Sequence, residues 1–229
     1  GHTKGFVINN EGELLNRLKV FIKDNVPVIV QEIIQSNDNQ NYKVCVFISP
    51  SGDYKLLFTL KKIHQNPIHF GVGASVKSIK YPELERIGLK LFSSIGYNGV
   101  GSAEFKYDKM DCKLKLIEIN PRYWQQNSLG DFCGMNFPLM DYKEATNQFP
   151  DPIKDFKENY LWINFFELEI NSFIEYKKVG EITFYKWLHD LKGRKTISYL
   201  SIDDLIPLFI HLYRISIRVL VKYKKKYFN

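Results

Sequence analysis

The sequence predicts an α+β fold, an antiparallel sheet with flanking helices. Three observations predict it. Residues 41–63 read as two strands joined by the turn Ser49-Pro-Ser-Gly-Asp53, a hairpin pattern. Residues 99–120 repeat that pattern around a turn at about Asp108 to Cys112. The composition is 45% hydrophobic, 25% charged and 15% aromatic over 229 residues, which supplies a sizeable core for a folded chain.

Each element follows in order. "GHTKGFVINN" reads as a glycine loop feeding a short strand, Phe6 to Ile8. Leu14, Leu15, Leu18, Phe21 and Ile22 then fall at helical spacing, with Asn10 or Glu11 near the helix start. "VPVIVQEII" is a continuous apolar run suited to a buried strand, and "SNDNQ" is a turn. After the first hairpin, "HQNPIHFGVGASV" reads as a glycine-containing loop. Residues 81–96 read as a helix with Leu84, Ile87, Leu91 and Ile95 on one stripe. "GYNGVGSAEFKYD" runs into a strand, and "KLKLIEIN" is its partner. "FCGMNFPLMDYKEATNQ" reads as a loop and then a helix. Between 151 and 200, a strand is expected near Tyr160 to Glu169 and a helix near Phe184 to Leu191. The last stretch reads as one amphipathic helix, with Pro207 in its first turn. There Leu208, Leu212, Ile215 and Val219 form one stripe, while Arg214, Arg218 and Lys222 step along another face. The expected organisation is a main module over 1–150 and an extension over 151–229 that packs on it.

Composition narrows the classes. Cys45, Cys112 and Cys133 are odd in number and far apart, with neither metal spacing nor a disulfide framework, so a reducing compartment, the cytoplasm, is expected. No apolar run reaches the ~18 residues of a membrane span. The net charge of +7 is concentrated near the end, at Arg214, Arg218 and Lys222 to Lys226. That helix has three readings: packing on the body, pairing with another subunit in an oligomer, or contact with an anionic membrane surface. Packing is the simplest. No nucleic-acid partner is expected, because no aromatic stacking platform interleaves the basic residues. His64 and His69 lack partner ligands at metal spacing and read as loop histidines. Lys106 and Asp108 read as solvated charges. Trp124, Trp162 and Trp187 read as core or pocket aromatics.

One constellation stands apart from this background. Strand alternation puts Glu118 and Asn120 on one face, and Glu104 on a face with Ser102 and Lys106. A hairpin centred near Asp111 sets Glu104 directly opposite Glu118. Two facing carboxylates repel unless a cation lies between them, and magnesium suits such a site. Arg122, just past the strand end, can hold phosphate oxygens in a bidentate fork. The alternative is an exposed hairpin face with ordinary charges.

"GSAEFKYD…KLKLIEINPRYW" resembles the metal-binding end of ATP-grasp ligases, in the carboxylate–amine branch with polysaccharide-biosynthesis and carbamoyl-phosphate-synthase-like members. The resemblance implies ATP and magnesium (or manganese) as cofactors, with Glu104, Glu118 and Asn120 as metal ligands and Arg122 as a catalytic residue. "VIVQEIIQSND" looks like the family's hinge strand. The adenine-reading and ribose-holding roles then fall on Gln31, Glu32, Ile33, Ile34 and Asp38. "GHTKGFVI" looks like the tail of the glycine loop, with Gly1, Thr3, Lys4 and Gly5 over the phosphates. "TLKKIHQNPIHFGVGASV" resembles the substrate-side strand and loop, with Lys62 facing the phosphates and Gly71 to Ser75 lining the acceptor pocket. Lys61 and Lys62 alternate, so only one of them points inward. "DDLIPLF" looks like a closing segment of the same branch.

The implied activity joins a small-molecule carboxylate to an amine through an acylphosphate, in cell-surface polysaccharide or amino-acid conjugate biosynthesis. Complete members carry an N-terminal α/β domain and a lysine strand before the glycine loop. The sequence starts inside that loop, so the expectation is the C-terminal part of such an enzyme, lacking the N-terminal α/β domain. A nucleotide-binding module without catalysis is the second reading.

Overall fold

The computed structural model describes residues 6–201 and 203–227; for residues 218, 219 and 222–227 it describes the backbone alone. Lys4 and Gly5, with Gly1 and Thr3, lie outside the described residues. The chain divides into two compact units, residues 1–35 and 36–229. The boundary expected at 150 falls inside the second unit.

The second unit is built on seven strands: β1 (Asn41–Ile48), β2 (Tyr54–Asn66), β3 (Val72–Ser78), β4 (Gly99–Asp108), β5 (Lys113–Asn120), β6 (Leu161–Ile163) and β7 (Lys195–Ile197). Their order in the sheet is β5-β4-β1-β2-β3-β6-β7. Every neighbouring pair is antiparallel except β6–β7, which is parallel. Alternation along the strands separates two cores. Cys45, Phe47, Phe58 and Leu60 pack with Leu129, Phe137 and Met140 of helices α3 (Asn127–Phe132) and α4 (Phe137–Ala145). Val44, Val46, Ala103 and Phe105 point the opposite way, onto Leu84 and Phe92 of helix α2 (Pro82–Ser94). That contact is close. A Cβ on Gly88 would lie 2.6 Å from a Val44 methyl, so only glycine lets the helix sit so near the sheet.

A third cluster ties residues 161–191 to the sheet. Leu161 and Ile163 pack against Trp187 and Leu191, around helices α5 (Ile170–Lys178) and α6 (Phe184–Asp190). His64 of β2 is the polar peg of this region. It is buried, with Nδ1 2.7 Å from Glu169 Oε1, which also accepts from Trp187 Nε1 at 2.8 Å. Three expectations are corrected here. His64 is a buried strand residue, and the loop expected over 64–76 is mostly strand, because residues 72–78 find a partner in the far end of β2. The strand expected over 160–169 stops at Ile163. The Asn164 side chain accepts from Glu167 N–H at 3.3 Å and starts a wide helical turn leading into α5.

Asp108 is also corrected. It is buried, accepts from Met110 N–H at 2.9 Å and pairs with Lys115. The Lys115 ammonium and that N–H hold its carboxyl below the usual range. Cys45, Cys112 and Cys133 are all free thiols.

In the first unit, helix α1 (Glu11–Lys23) is capped by Asn10, whose side chain accepts from Glu13 N–H at 2.9 Å. The strands expected at 6–8 and 26–34 are not formed, and Ile29 is 86% exposed. An apolar run becomes a strand only beside a partner, and this unit has no other strand among the described residues. The run instead borders an open groove against Leu14, Leu18 and Phe21.

Helix α7 (Ile206–Tyr227) is the expected terminal helix. Leu208, Leu212 and Ile215 are half-buried, while Phe209, Tyr213 and Leu220 are exposed on another face. Among the described residues, no helix is long and apolar enough to cross a membrane.

Candidate functional site

The site lies on the sheet face that carries Cys45 and Phe47, beyond the end of their core. The β4–β5 register pairs Glu104 with Glu118 and Ser102 with Asn120. The β1–β4 register pairs Lys43 with Glu104. A bulge at Ile117, just before Glu118, shifts the earlier part of β5 by one residue, and β5 is an edge strand. Glu118 is exposed there and accepts from Asn120 Nδ2 at 2.7 Å. Arg122 is exposed past the strand end, with Nη1 3.1 Å from the Tyr123 carbonyl. Tyr123 donates to Asp141 at 2.8 Å. Burial and that carboxylate push its hydroxyl pKa up.

Glu104 has a different environment. Its Oε1 lies 2.9 Å from Lys43 Nζ and its Oε2 lies 2.9 Å from Lys62 Nζ, with 15% of the side chain exposed. Burial alone would raise the Glu104 carboxyl. The Lys43 and Lys62 ammonium groups override it and hold the carboxyl down at about 2. Of the two adjacent lysines in β2, Lys62 points to this face. Lys61 points away, with its Nζ 5.6 Å from the Tyr42 ring centre.

Lys62 rests on a tight floor. A Cβ on Gly73 would lie 2.7 Å from a Val76 methyl, 3.4 Å from Gln126 Nε2 and 3.5 Å from Lys62 Cγ. Gln126 is buried and donates to the Gly73 carbonyl at 3.1 Å. Within the stretch Gly71 to Ser75, Gly73 leaves the space beside Lys62 that a side chain would enter.

Lys106 belongs to the same face and is not a plain solvated charge. It is half-buried; burial lowers its pKa, nearby Asp38 opposes that and Lys62 adds to it. Asp38 therefore sits at the Lys106 end of the face. It accepts from His69 N–H at 2.9 Å and from the Tyr176 hydroxyl, and His69 Nδ1 lies 3.1 Å away. Burial by itself would raise its carboxyl, but these donors together with Gln65 bring it below the usual range.

The structure thus gathers Glu104, Glu118, Asn120, Lys62 and, at the margin, Asp38 on one unit. Gln31, Glu32, Ile33 and Ile34 belong to the other unit, where the first three are exposed and Ile34 is half-buried. Lys43, Gln126 and Tyr176 were not singled out from the sequence. Lys43 had a signal: it alternates with Cys45 and Phe47, so a lysine stands at a core-facing position. Gln126 and Tyr176 had none, because their roles depend on contacts across the fold.

No protein-family model and no curated protein matches the sequence. Solved structures do match. An N5-carboxyaminoimidazole ribonucleotide synthetase in its ADP complex superposes with a TM-score of 0.51 at 16% identity, over 70% of this chain and 42% of that one. The N5-carboxyaminoimidazole synthetase from Staphylococcus aureus superposes with a TM-score of 0.50 at 12% identity, over 67% of this chain and 40% of that one. Both are ATP-grasp enzymes. The chain has the ATP-grasp fold. It spans less than half the length of these two structures.

On this face the donors that suit magnesium are those at the edge strand. Glu118 offers a carboxylate and Asn120 an amide oxygen, both hard ligands. Ser102, facing Asn120 across the strands, carries a buried Oγ with no partner among the described residues. Glu104, by contrast, already has both oxygens engaged by lysines.

Proposed function

We infer that the chain is the metal- and phosphate-binding part of an ATP-dependent ligase that joins a small-molecule carboxylate to an amine through an acylphosphate. The observation that carries this reading is the facing pair Glu104 and Glu118, with Asn120 and Lys62 beside it, on an ATP-grasp sheet. Glu118 and Asn120 would hold magnesium (or manganese), which supplies charge neutralisation around the triphosphate. Lys62, fixed by Glu104 and the Gly73 floor, orients a phosphate oxygen. Arg122, exposed past the strand end, reaches for the acylphosphate as a planar fork. By resemblance the ribose hydroxyls fall to Asp38, the adenine edge to Gln31 to Ile34, and the phosphates to Lys4 and Gly5. These last three roles rest on the sequence resemblance, as do the assignment to polysaccharide or amino-acid conjugate chemistry and the cytoplasmic location.

The test is equilibrium binding of ATP to the 229-residue chain with and without magnesium. The expected result is binding that strengthens at least tenfold with the ion. Equal binding under both conditions, or none, would overturn the reading. A nucleotide-binding module without catalysis is the second reading, favoured by the lysine pair that already neutralises Glu104. Release of ADP on adding carboxylate and amine mixtures would decide against it.

A further inference from the structure

Glu104 and Glu118 face each other, yet only one is available to a cation. We propose that this centre takes a single divalent ion, on Glu118 and Asn120, and that the ammonium groups of Lys43 and Lys62 stand where a second ion would sit against Glu104. The proposal rests on the nucleotide reading above and deepens it.

The geometry carries it in three steps. First, the two Glu104 oxygens are engaged separately, each by its own ammonium at 2.9 Å. Magnesium binds a carboxylate oxygen at ~2.0–2.1 Å, so it would have to displace one lysine. Second, Lys43, if displaced, has nowhere favourable to go. Lys43 stands mid-sheet between Leu60 of β2 and Glu104 of β4, with 8% of its side chain exposed. An ammonium left there without its counter-charge is strongly disfavoured. Third, the Glu104 carboxylate is already offset by two ammonium groups, so it holds no unpaired negative charge for a divalent ion.

Glu118 differs in each respect. It lies on the edge strand, it is exposed, and it is bonded to the Asn120 amide rather than to a cation. An ammonium also does part of a second ion's work. It carries positive charge and three donors, of which Lys62 commits one to Glu104 and can aim others at an oxyanion. The ligand class this favours is a polyphosphate, with one end on the metal and the other on the lysines.

The test counts ions. Manganese is titrated into the full chain with a non-hydrolysable ATP analogue, and bound ions are counted by equilibrium dialysis and electron paramagnetic resonance. The expected result is one manganese per chain with the spectrum of an isolated ion. Lys43→Met frees Glu104 Oε1 and should raise the count to two, with the broadening of ions ~3.5–4 Å apart. If Lys43→Met does not fold, the wild-type count decides by itself. Two coupled ions in the wild type would overturn this proposal alone. A folded Lys43→Met still limited to one ion would also overturn it. No ion retained with the nucleotide analogue would take down the nucleotide reading with it.

Discussion

Two glutamates at facing positions of β4 and β5 meet different surroundings. Glu104 lies on an inner strand with β1 on one side and β5 on the other, and Lys43 and Lys62 close on it. Glu118 lies on an edge strand, exposed, with the Asn120 amide as its neighbour. The residue type is the same, and the place in the sheet decides the role. An inner strand receives partners from both sides, whereas an edge strand leaves one side to solvent or ligand. Glu104 is engaged by two lysines, whereas Glu118 is exposed and bonded only to an amide.

The largest effect should come from the inner glutamate. Glu104→Gln leaves two ammonium groups without their counter-charge. Removing one partner of a buried pair costs ~3–5 kcal/mol, which a urea titration would read as a lower midpoint at unchanged slope. The effect has a pH signature. The Glu104 carboxyl is held down at about 2 in the folded chain, from an ordinary value of 4.5. Its contribution is present in full above the ordinary value and fades as pH falls toward 2. The gap in stability between wild type and Glu104→Gln should accordingly narrow through that window. A gap that is constant with pH would mean that the lysine pairing contributes little.

A smaller effect tests the floor under Lys62. The added methyl of Gly73→Ala would lie 2.7 Å from Val76 and 3.5 Å from Lys62 Cγ. Overpacking of this kind costs ~1–3 kcal/mol and should lower the thermal midpoint by several degrees. Wild-type stability would show that the floor yields.

The facing of the two glutamates was legible in the sequence, because it depends on local rules. Alternation and a hairpin midpoint near Asp111 set Glu104 against Glu118; the turn itself is centred half a residue earlier, and a bulge at Ile117 restores the pairing. The helices over 11–23, 82–94 and 206–227 follow from periodicity and, at Asn10, from a cap. What was not legible depends on distant partners. Lys43 and Lys62 reach Glu104 from two other strands, so its lysine partners could not be read from the hairpin alone. His64 looked like a loop residue because Glu169 and Trp187 lie more than a hundred residues further on. The runs "YKVCVFI" and "VPVIVQEII" have similar apolar character, but only the first has strands on both sides.

The edge glutamate provides the most direct measurement. Glu118→Gln keeps the shape and the contact with Asn120 and removes the ligand charge. Stability should stay within ~0.5 kcal/mol of wild type, since the side chain is exposed. Magnesium-dependent binding of ATP, followed by calorimetry in the same samples, should fall at least tenfold. That combination, a folded chain that no longer couples nucleotide to metal, is what a free ligand at the sheet edge predicts. Undiminished magnesium-dependent binding in Glu118→Gln would contradict it and return Glu118 to an ordinary surface charge.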